Sequence, residues 1–245
     1  KFSPDIIQCQ NLYPFISPAI IKPIKKLNIP LIMRCPNYRL FCPTGLHLDS
    51  SNKICESCLT KLKEFNCIMK NCEKNWFKSI GYALRNLVAR KYWNITKMFD
   101  AYIVQTEFQK QKFVKNGISK EKLFVVPGLT PEIKVINNRN IASNYVSFIG
   151  RISEEKGIEE FIYAANKLQD ISFKVVGAYS DSFINLKQKS SRNVEWTGFM
   201  SGKNLDEIFV KSRIIVVPGK WYEGFPNVIT RAMRHGKAII TSDLG

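Results

Sequence analysis

The sequence predicts an α/β protein with two doubly wound, Rossmann-like parallel sheets. Three observations carry that expectation. Short apolar runs alternate with stretches of helical period along most of the 245 residues, which is the pattern of βαβ units. Strand candidates such as Ile214-Ile215-Val216-Val217 are continuous apolar runs, as expected of parallel strands covered on both faces. One polar stretch, Pro127–Asn140, holds Gly128 and Pro131 and divides the alternation into two series. A chain of this length can bury a real core in two modest domains.

In the first series, strands are expected at Ile6–Gln10, Pro30–Cys35, Ala101–Gln105 and Leu123–Val126. A helix is expected over Ser17–Leu27, where Ser17 caps and Pro18 takes the first helical position. A longer one covers Trp76–Lys97, and a third, Glu107–Lys115, ends at Asn116-Gly117. The Trp76–Lys97 stretch puts Trp76, Phe77, Ile80, Leu84, Leu87 and Val88 on one face and Lys78, Arg85, Arg90 and Lys91 elsewhere. That stripe is read as packed on the sheet, with the basic residues left to attract an anionic membrane surface weakly. In the second series the strands are Tyr145–Ile149, Phe173–Val176, Val194–Thr197, Ile214–Val217 and Ala238–Thr241. The helices between them are Ile158–Leu168, Ser182–Lys189, Asn204–Lys211 and Asn227–Arg234. The domains are accordingly expected at residues 1–130, with a cysteine-rich insertion at 52–75, and at residues 131–245.

Charge narrows the partners. Lys and Arg number 37 against 20 Asp and Glu, a formal +17, so the chain attracts anions such as sugar nucleotides, lipid headgroups and nucleic acid. No RNA-binding signature or histidine-paired zinc finger occurs, which disfavours nucleic acid. No apolar run reaches the length of a membrane span, and no signal peptide opens the chain.

Two strand-to-helix loops carry the chemistry. The first, Gly150-Arg151-Ile152-Ser153-Glu154-Glu155-Lys156-Gly157, has a glycine for close backbone approach and two cations suited to a diphosphate. Its bland alternative is a solvated loop whose cations pair with Glu154 and Glu155. The second is Pro218–Gly236, PGKWYEGFPNVITRAMRHG, where Glu223 precedes Gly224-Phe225-Pro226 and a helix opens near Asn227. Helix N-terminal amides favour an anion, and ligands of open α/β sheets sit beyond the carboxyl ends of the strands.

Both loops resemble the retaining GT-B glycosyltransferases of family 4. That family's phosphate loop matches at Gly150, Arg151, Lys156 and Gly157, and its proline–tryptophan–glutamate–glycine–phenylalanine–proline signature matches at Pro218, Trp221, Glu223, Gly224, Phe225 and Pro226. The resemblance implies two Rossmann-like domains in the GT-B architecture, both incomplete here, so the chain reads as an internal segment of a longer enzyme. It also implies retaining, metal-independent, hexosyltransferase-type transfer of a sugar from a UDP-, GDP- or ADP-type donor to a glycan or lipid-linked acceptor, in cell-surface polysaccharide synthesis. No catalytic cofactor is expected, and no Asp-x-Asp occurs. The expected place is the cytoplasm, with attachment to the cytoplasmic membrane face left open. By resemblance Arg151 and Lys156 hold the diphosphate, Glu223 faces the donor sugar as the catalytic residue, and Gly150, Gly224, Phe225, Pro226 and Asn227 complete the donor site.

Two positions depart from the family. The second glutamate of its pair, which holds ribose hydroxyls, is Arg231 here, a residue with no acceptor: either it reaches the phosphates, or donor binding is weaker than in the family, or another residue takes that role. In the N-terminal half, Asn37, Tyr38, Arg39, Leu40, Cys42 and Pro43 match the family's acceptor-side stretch, but its histidine is Pro36. A protein that binds sugar nucleotides or glycans without transfer is therefore a second reading, and a basic interaction module a third.

Finally, Cys55-x-x-Cys58, Cys67 and Cys72 have spacings that suit a closed structural zinc site, two disulfides or free thiols. Zinc is the leading reading of the three.

Overall fold

The computed structural model of the chain describes residues 3–12, 16–128 and 144–244. These form two compact units. The first runs to Gly128 and takes in Tyr222–Phe225; the second comprises the described residues up to Trp221 and from Pro226 to Leu244. The expected linker lies, from residue 129 onward, outside the described residues.

The first unit holds a parallel sheet of β1 (Ile7–Gln10), β2 (Leu31–Arg34), β3 (Ala101–Val104) and β4 (Leu123–Val125), in that spatial order. Met33 pairs with Cys9 on one side and Tyr102 on the other. A 3-10 turn, Pro18–Ile20, leads into α1 (Ile21–Lys25), and the Ser17 hydroxyl caps it by accepting from the Ala19 amide at 3.2 Å. Helix α4 (Glu107–Lys115) starts where the Thr106 hydroxyl accepts from the Gln109 amide at 3.1 Å. Ile21, Leu31, Phe99, Tyr102, Val104 and Phe113 are fully buried and make the core between helices and sheet.

Two helices between β2 and β3 depart from the sequence expectation. A short helix, α2 (Phe65–Met69), forms inside the cysteine-rich insertion. Helix α3 (Trp76–Lys91) begins at Asn75, whose side-chain oxygen accepts from the Lys78 amide at 3.0 Å, and stops six residues before Lys97. Asn94 takes φ +47°, a left-handed conformation incompatible with continuing the helix.

The orientation of α3 is also reversed. Its inward residues are Ser79, Ala83, Asn86 and Ala89, whereas Trp76, Phe77, Ile80, Leu84 and Val88 are exposed. The reason is what lies beneath it. The helix covers loop backbone that needs small side chains and hydrogen-bond partners. The Asn86 amide donates to the Arg39 carbonyl at 2.7 Å, the Arg85 guanidinium to the Pro43 carbonyl at 2.6 Å, and the Ser79 hydroxyl to the Asn71 side-chain oxygen at 3.0 Å. The stripe read as core-facing is thus the outer face.

The second unit holds β5 (Tyr145–Ile149), β6 (Phe173–Val176), β7 (Val194–Gly198), β8 (Ser212–Val217) and β9 (Ala238–Thr241), all parallel, in the order β7-β6-β5-β8-β9. Helices α5 (Ile158–Lys167), α6 (Ile184–Gln188), α7 (Gly202–Lys211) and α8 (Asn227–Arg234) make the crossovers. On α5, Ile158, Phe161, Ile162 and Ala165 recur at helical spacing and pack against Phe148 and Phe173. The Ser147 and Ser212 hydroxyls bond each other at 2.8 Å inside the β5–β8 pair, which satisfies two polar groups in an otherwise apolar sheet.

Candidate functional site

In the second sheet the strand order reverses between β5 and β8, and ligands of doubly wound folds bind at such a point beyond the carboxyl ends of the strands. Both motif loops leave from there, Gly150–Gly157 after β5 and the stretch from Pro218 after β8.

The loops are fitted to each other through glycine. Gly157 has φ +75°, and a Cβ on it would sit 1.9 Å from the Pro218 carbonyl oxygen, so no side chain is tolerated. The Lys220 amide donates to the Glu155 carbonyl at 2.9 Å, and Lys220 Nζ lies 2.5 Å from the Glu160 carboxylate. Lys156 Nζ stands 5.3 Å from the centroid of the Trp221 ring, within cation–π range. Arg151 is two-thirds exposed and pairs with the Glu155 carboxylate. That pairing is the solvated-loop alternative made visible. An exposed ion pair is worth about 0–1 kcal/mol, so an anionic ligand can take the guanidinium from it at little cost.

Arg231 is engaged elsewhere. On α8 its guanidinium lies 2.5 Å from the Asp206 carboxylate of α7 and 5.3 Å from the Phe209 ring centroid. His235 stacks on the same ring at 5.5 Å, with Nε2 3.6 Å from Asp206. Burial lowers the His235 pKa against the pull of Asp206. Asn227 opens α8 directly after Pro226, whose backbone is extended at the N-cap.

Glu223, Gly224 and Phe225 belong to the first unit. A Cβ on Gly224 would meet Gln105 Oε1 at 2.5 Å, so a side chain there would require the end of the Gln105 side chain to shift. The Gln105 backbone N–H donates to Gln109 Oε1 at 2.8 Å, and Gln109 Nε2 donates to the Cys35 carbonyl at 2.9 Å. Just before Glu223, the Tyr222 hydroxyl donates to Glu56 Oε1 at 3.0 Å, and the same oxygen accepts from Lys112. Burial raises the Glu56 pKa, but the Lys112 and Tyr222 hydrogen bonds outweigh it and hold the carboxyl below its usual range. Tyr222 is pushed up to about 12 by burial and by the Glu56 hydrogen bond. The tyrosine ring packs among Tyr38, His47 and Phe108. This Glu56–Lys112–Tyr222 cluster was not read from the sequence. Its members lie far apart in the chain, and no spacing rule connects them.

The three residues expected on the acceptor side, Asn37, Tyr38 and Arg39, separate. Tyr38 is 1% exposed and lies in the core against His47 and Phe113, its pKa raised by burial. Asn37 donates to Asn11 at 3.2 Å and accepts from the Arg39 amide at 3.0 Å. Asn37, Arg39 and Pro36 line a cavity of about 30 Å³, the size of one or two water molecules. A larger cleft of about 630 Å³ is bordered by Lys63, Arg90, Lys97 and Lys115, with the buried Glu64 bound bidentately by Arg90 at 2.7 and 2.9 Å.

The zinc reading of the cysteines is corrected. All seven cysteines are free, and among the described residues no three His, Cys, Asp or Glu side chains group as a metal site requires. Cys67 is fully buried in α2, a hydrogen bond with Cys67 pushes the Cys72 thiol up, and burial does the same to Cys58. The Cys55 thiol donates to the Ser57 hydroxyl at 3.4 Å.

Comparison with known proteins bears on the fold and on the kind of protein this chain resembles. Residues 130–245 match the family model of glycosyl transferases group 1. The chain is 27% identical over 246 residues to an uncharacterised 42.6 kDa protein in the cps region of Klebsiella pneumoniae, covering 99% of this chain and 58% of that protein. It is 22% identical over 186 residues to the alpha-galactosylglucosyldiacylglycerol synthase of Streptococcus pneumoniae, covering 67% of this chain and 50% of the synthase. Among solved structures, HepE of Anabaena in complex with UDP-glucose superimposes with a TM-score of 0.58 at 16% identity, over 98% of this chain and 60% of HepE. The fold is that of the GT-B glycosyltransferases, with Rossmann-like sheets. The chain covers between 50% and 60% of the length of these relatives. None of its described helices is long and apolar enough to cross a membrane.

Proposed function

We propose that the chain forms part of a glycosyltransferase that moves a sugar from a nucleotide-diphosphate donor of UDP, GDP or ADP type to a glycan or lipid-linked acceptor. The observation that carries this reading is the pair of interlocked loops at the reversal point of the second sheet, with Arg151 exposed and Lys156 beside Trp221. Arg151 would grip the donor diphosphate through two N–H groups and Lys156 would add a point charge. The amides at the start of α8 would bring backbone donors toward the same anion. Glu223 would face the donor sugar, where a carboxylate stabilises positive charge developing at the anomeric carbon. Retention would follow if the acceptor hydroxyl attacks on the face the diphosphate leaves, passing its proton to the departing phosphate oxygen. That chemistry asks no metal of the protein. The relative from a cps region and the one named as a glycolipid synthase support a role in cell-surface polysaccharide or lipid glycosylation. Asn37 and Arg39 remain proposed for the acceptor side.

The donor is tested by calorimetric titration of the full-length protein with UDP-, GDP- and ADP-sugars beside Lys156→Ala. Selective binding that the substitution weakens by at least tenfold is the expected result; binding to no donor would overturn it. A second reading, a binding protein without transfer, is favoured by the commitment of Arg231 to Asp206, which takes the ribose position out of donor recognition. It predicts donor affinity with no turnover in the same protein, and a Glu223→Ala variant that changes nothing.

A further inference from the structure

We infer that the outward face of α3, continued by α2, is a docking surface for an anionic lipid bilayer. Helix α3 shows a polarity opposite to that of a helix packed on a core. Its large apolar residues Phe77, Ile80, Leu84 and Val88 follow one another at helical spacing on the exposed side, and Phe77 is 88% exposed. Helix α2 packs beside α3 and adds Phe65 and Met69, at 56% and 67% exposure. Monomeric proteins seldom leave a run of large apolar side chains in water, and such a patch marks an interaction site.

Charge decides what covers it. Between Ser57 and Lys97 the sequence holds nine Lys and Arg, and its acidic residues are Glu64 and Glu73. Glu64 is buried and bound by Arg90, so it does not offset the surface charge. Helix α3 itself contains no Asp or Glu. Lys61, Lys63, Lys70, Lys74, Lys78 and Lys91 are exposed around the apolar residues. An apolar face rimmed by cations is what an interfacial helix presents, its apolar side entering the acyl boundary while lysines reach the headgroup phosphates. A second copy of the same face would bring like charges together, which opposes self-association. Nucleic acid would meet the lysines but leave the aliphatic ridge without a partner.

This deepens one part of the proposed function, access to a lipid-linked acceptor, and does not depend on the donor chemistry. It places the acceptor side of the enzyme within reach of lipid-borne substrate by holding the first unit at the bilayer.

The test is co-sedimentation of the full-length protein with vesicles of phosphatidylcholine alone and of phosphatidylcholine mixed with phosphatidylglycerol. Wild type should pellet with the anionic vesicles and stay in solution with the neutral ones. Phe77→Ser with Leu84→Ser should weaken binding about tenfold or more, since both side chains lose their burial in lipid. Lys74→Gln with Lys78→Gln should weaken it about fivefold per lysine, and added salt should do the same. The substituted side chains are exposed, so circular dichroism and donor titration should match wild type in every variant. No pelleting with anionic vesicles, or equal pelleting of Phe77→Ser/Leu84→Ser and wild type, would overturn the inference. So would light scattering that shows a dimer dissolved by Phe77→Ser, because the face would then belong to a second copy. Loss of donor binding with vesicle binding intact would count against the transferase reading and leave this one standing.

Discussion

Helices α3 and α5 carry the same kind of sequence and lie in opposite senses. Both have apolar residues recurring at helical spacing with charged residues between them. On α5 the large side chains Ile158, Phe161 and Ile162 go inward and Glu159 and Glu160 outward. On α3 the inward side is Ser79, Ala83, Asn86 and Ala89, and the phenylalanine points to water. The difference follows from what each helix rests on. Helix α5 covers the apolar face of a parallel sheet whose backbone is already paired, so it contributes hydrocarbon. Helix α3 covers loop carbonyls at Arg39 and Pro43 that lack strand partners, so it contributes donors and little bulk. Periodicity reports that a helix has two sides. The neighbour's unmet needs decide which side is buried.

Truncation of the two phenylalanines puts this contrast to the hardest trial. Phe161→Ala should cost about 3–5 kcal/mol, because it empties a filled site between Phe148 and Phe173. Phe77→Ala should stay within about 0.5 kcal/mol. Urea denaturation of both variants measures the pair, and equal costs would mean that α3 buries its apolar side after all.

A smaller but still large effect is expected where α3 is pinned to the cysteine-rich insertion. Arg90→Ala strands the Glu64 carboxylate, which is 5% exposed, and leaving one partner of a buried pair uncompensated costs about 3 kcal/mol. Glu64→Gln with Arg90→Met should recover most of the loss. If the double variant is no more stable than Arg90→Ala, the bidentate bond is holding the fold rather than neutralising a buried charge.

The smallest effect is in the pH dependence. Burial lowers the pKa of His47 and of His235 below the ordinary 6.5. The unfolded chain therefore binds more protons than the folded one just below that value, and stability rises with pH there. Melting temperature should be highest above 6.5 and fall as the medium is acidified through that value and toward the depressed folded values. The carboxyls of Glu56, Glu64 and Asp100 are also depressed, and they add a further loss only at lower pH. His47→Gln should flatten the first descent without removing the second; a descent unchanged in that variant would assign it to His235.

Much of the backbone was legible in the sequence. Strands such as Tyr145–Ile149 and Phe173–Val176 fall where the apolar runs place them, because a short apolar run suits a parallel strand largely buried in the sheet, and the more exposed edge strand Ala238–Thr241 falls where expected as well. The Gly150–Gly157 loop and the Glu223 loop were legible as motifs, and the strand order then gives them a common origin at the reversal between β5 and β8. What could not be read depends on neighbours distant in the chain. Arg231 looked available until Asp206, twenty-five residues away, took its guanidinium. Tyr38 carried a motif position and lies in the core. The four cysteines had zinc-like spacing, and although Cys67 and Cys72 meet through a hydrogen bond, no group of three ligands forms among the described residues.

The contact of Gly157 with the Pro218 carbonyl has a consequence for anyone who wishes to re-engineer these loops. The loops after β5 and β8 are shaped as a matched pair, with one loop's missing side chain filled by the other's backbone. A graft of the Gly150–Gly157 loop alone from a relative would meet a second loop built for a different partner. The transferable module is both loops together, and a chimera that exchanges them as one should keep its fold where single exchanges lose it.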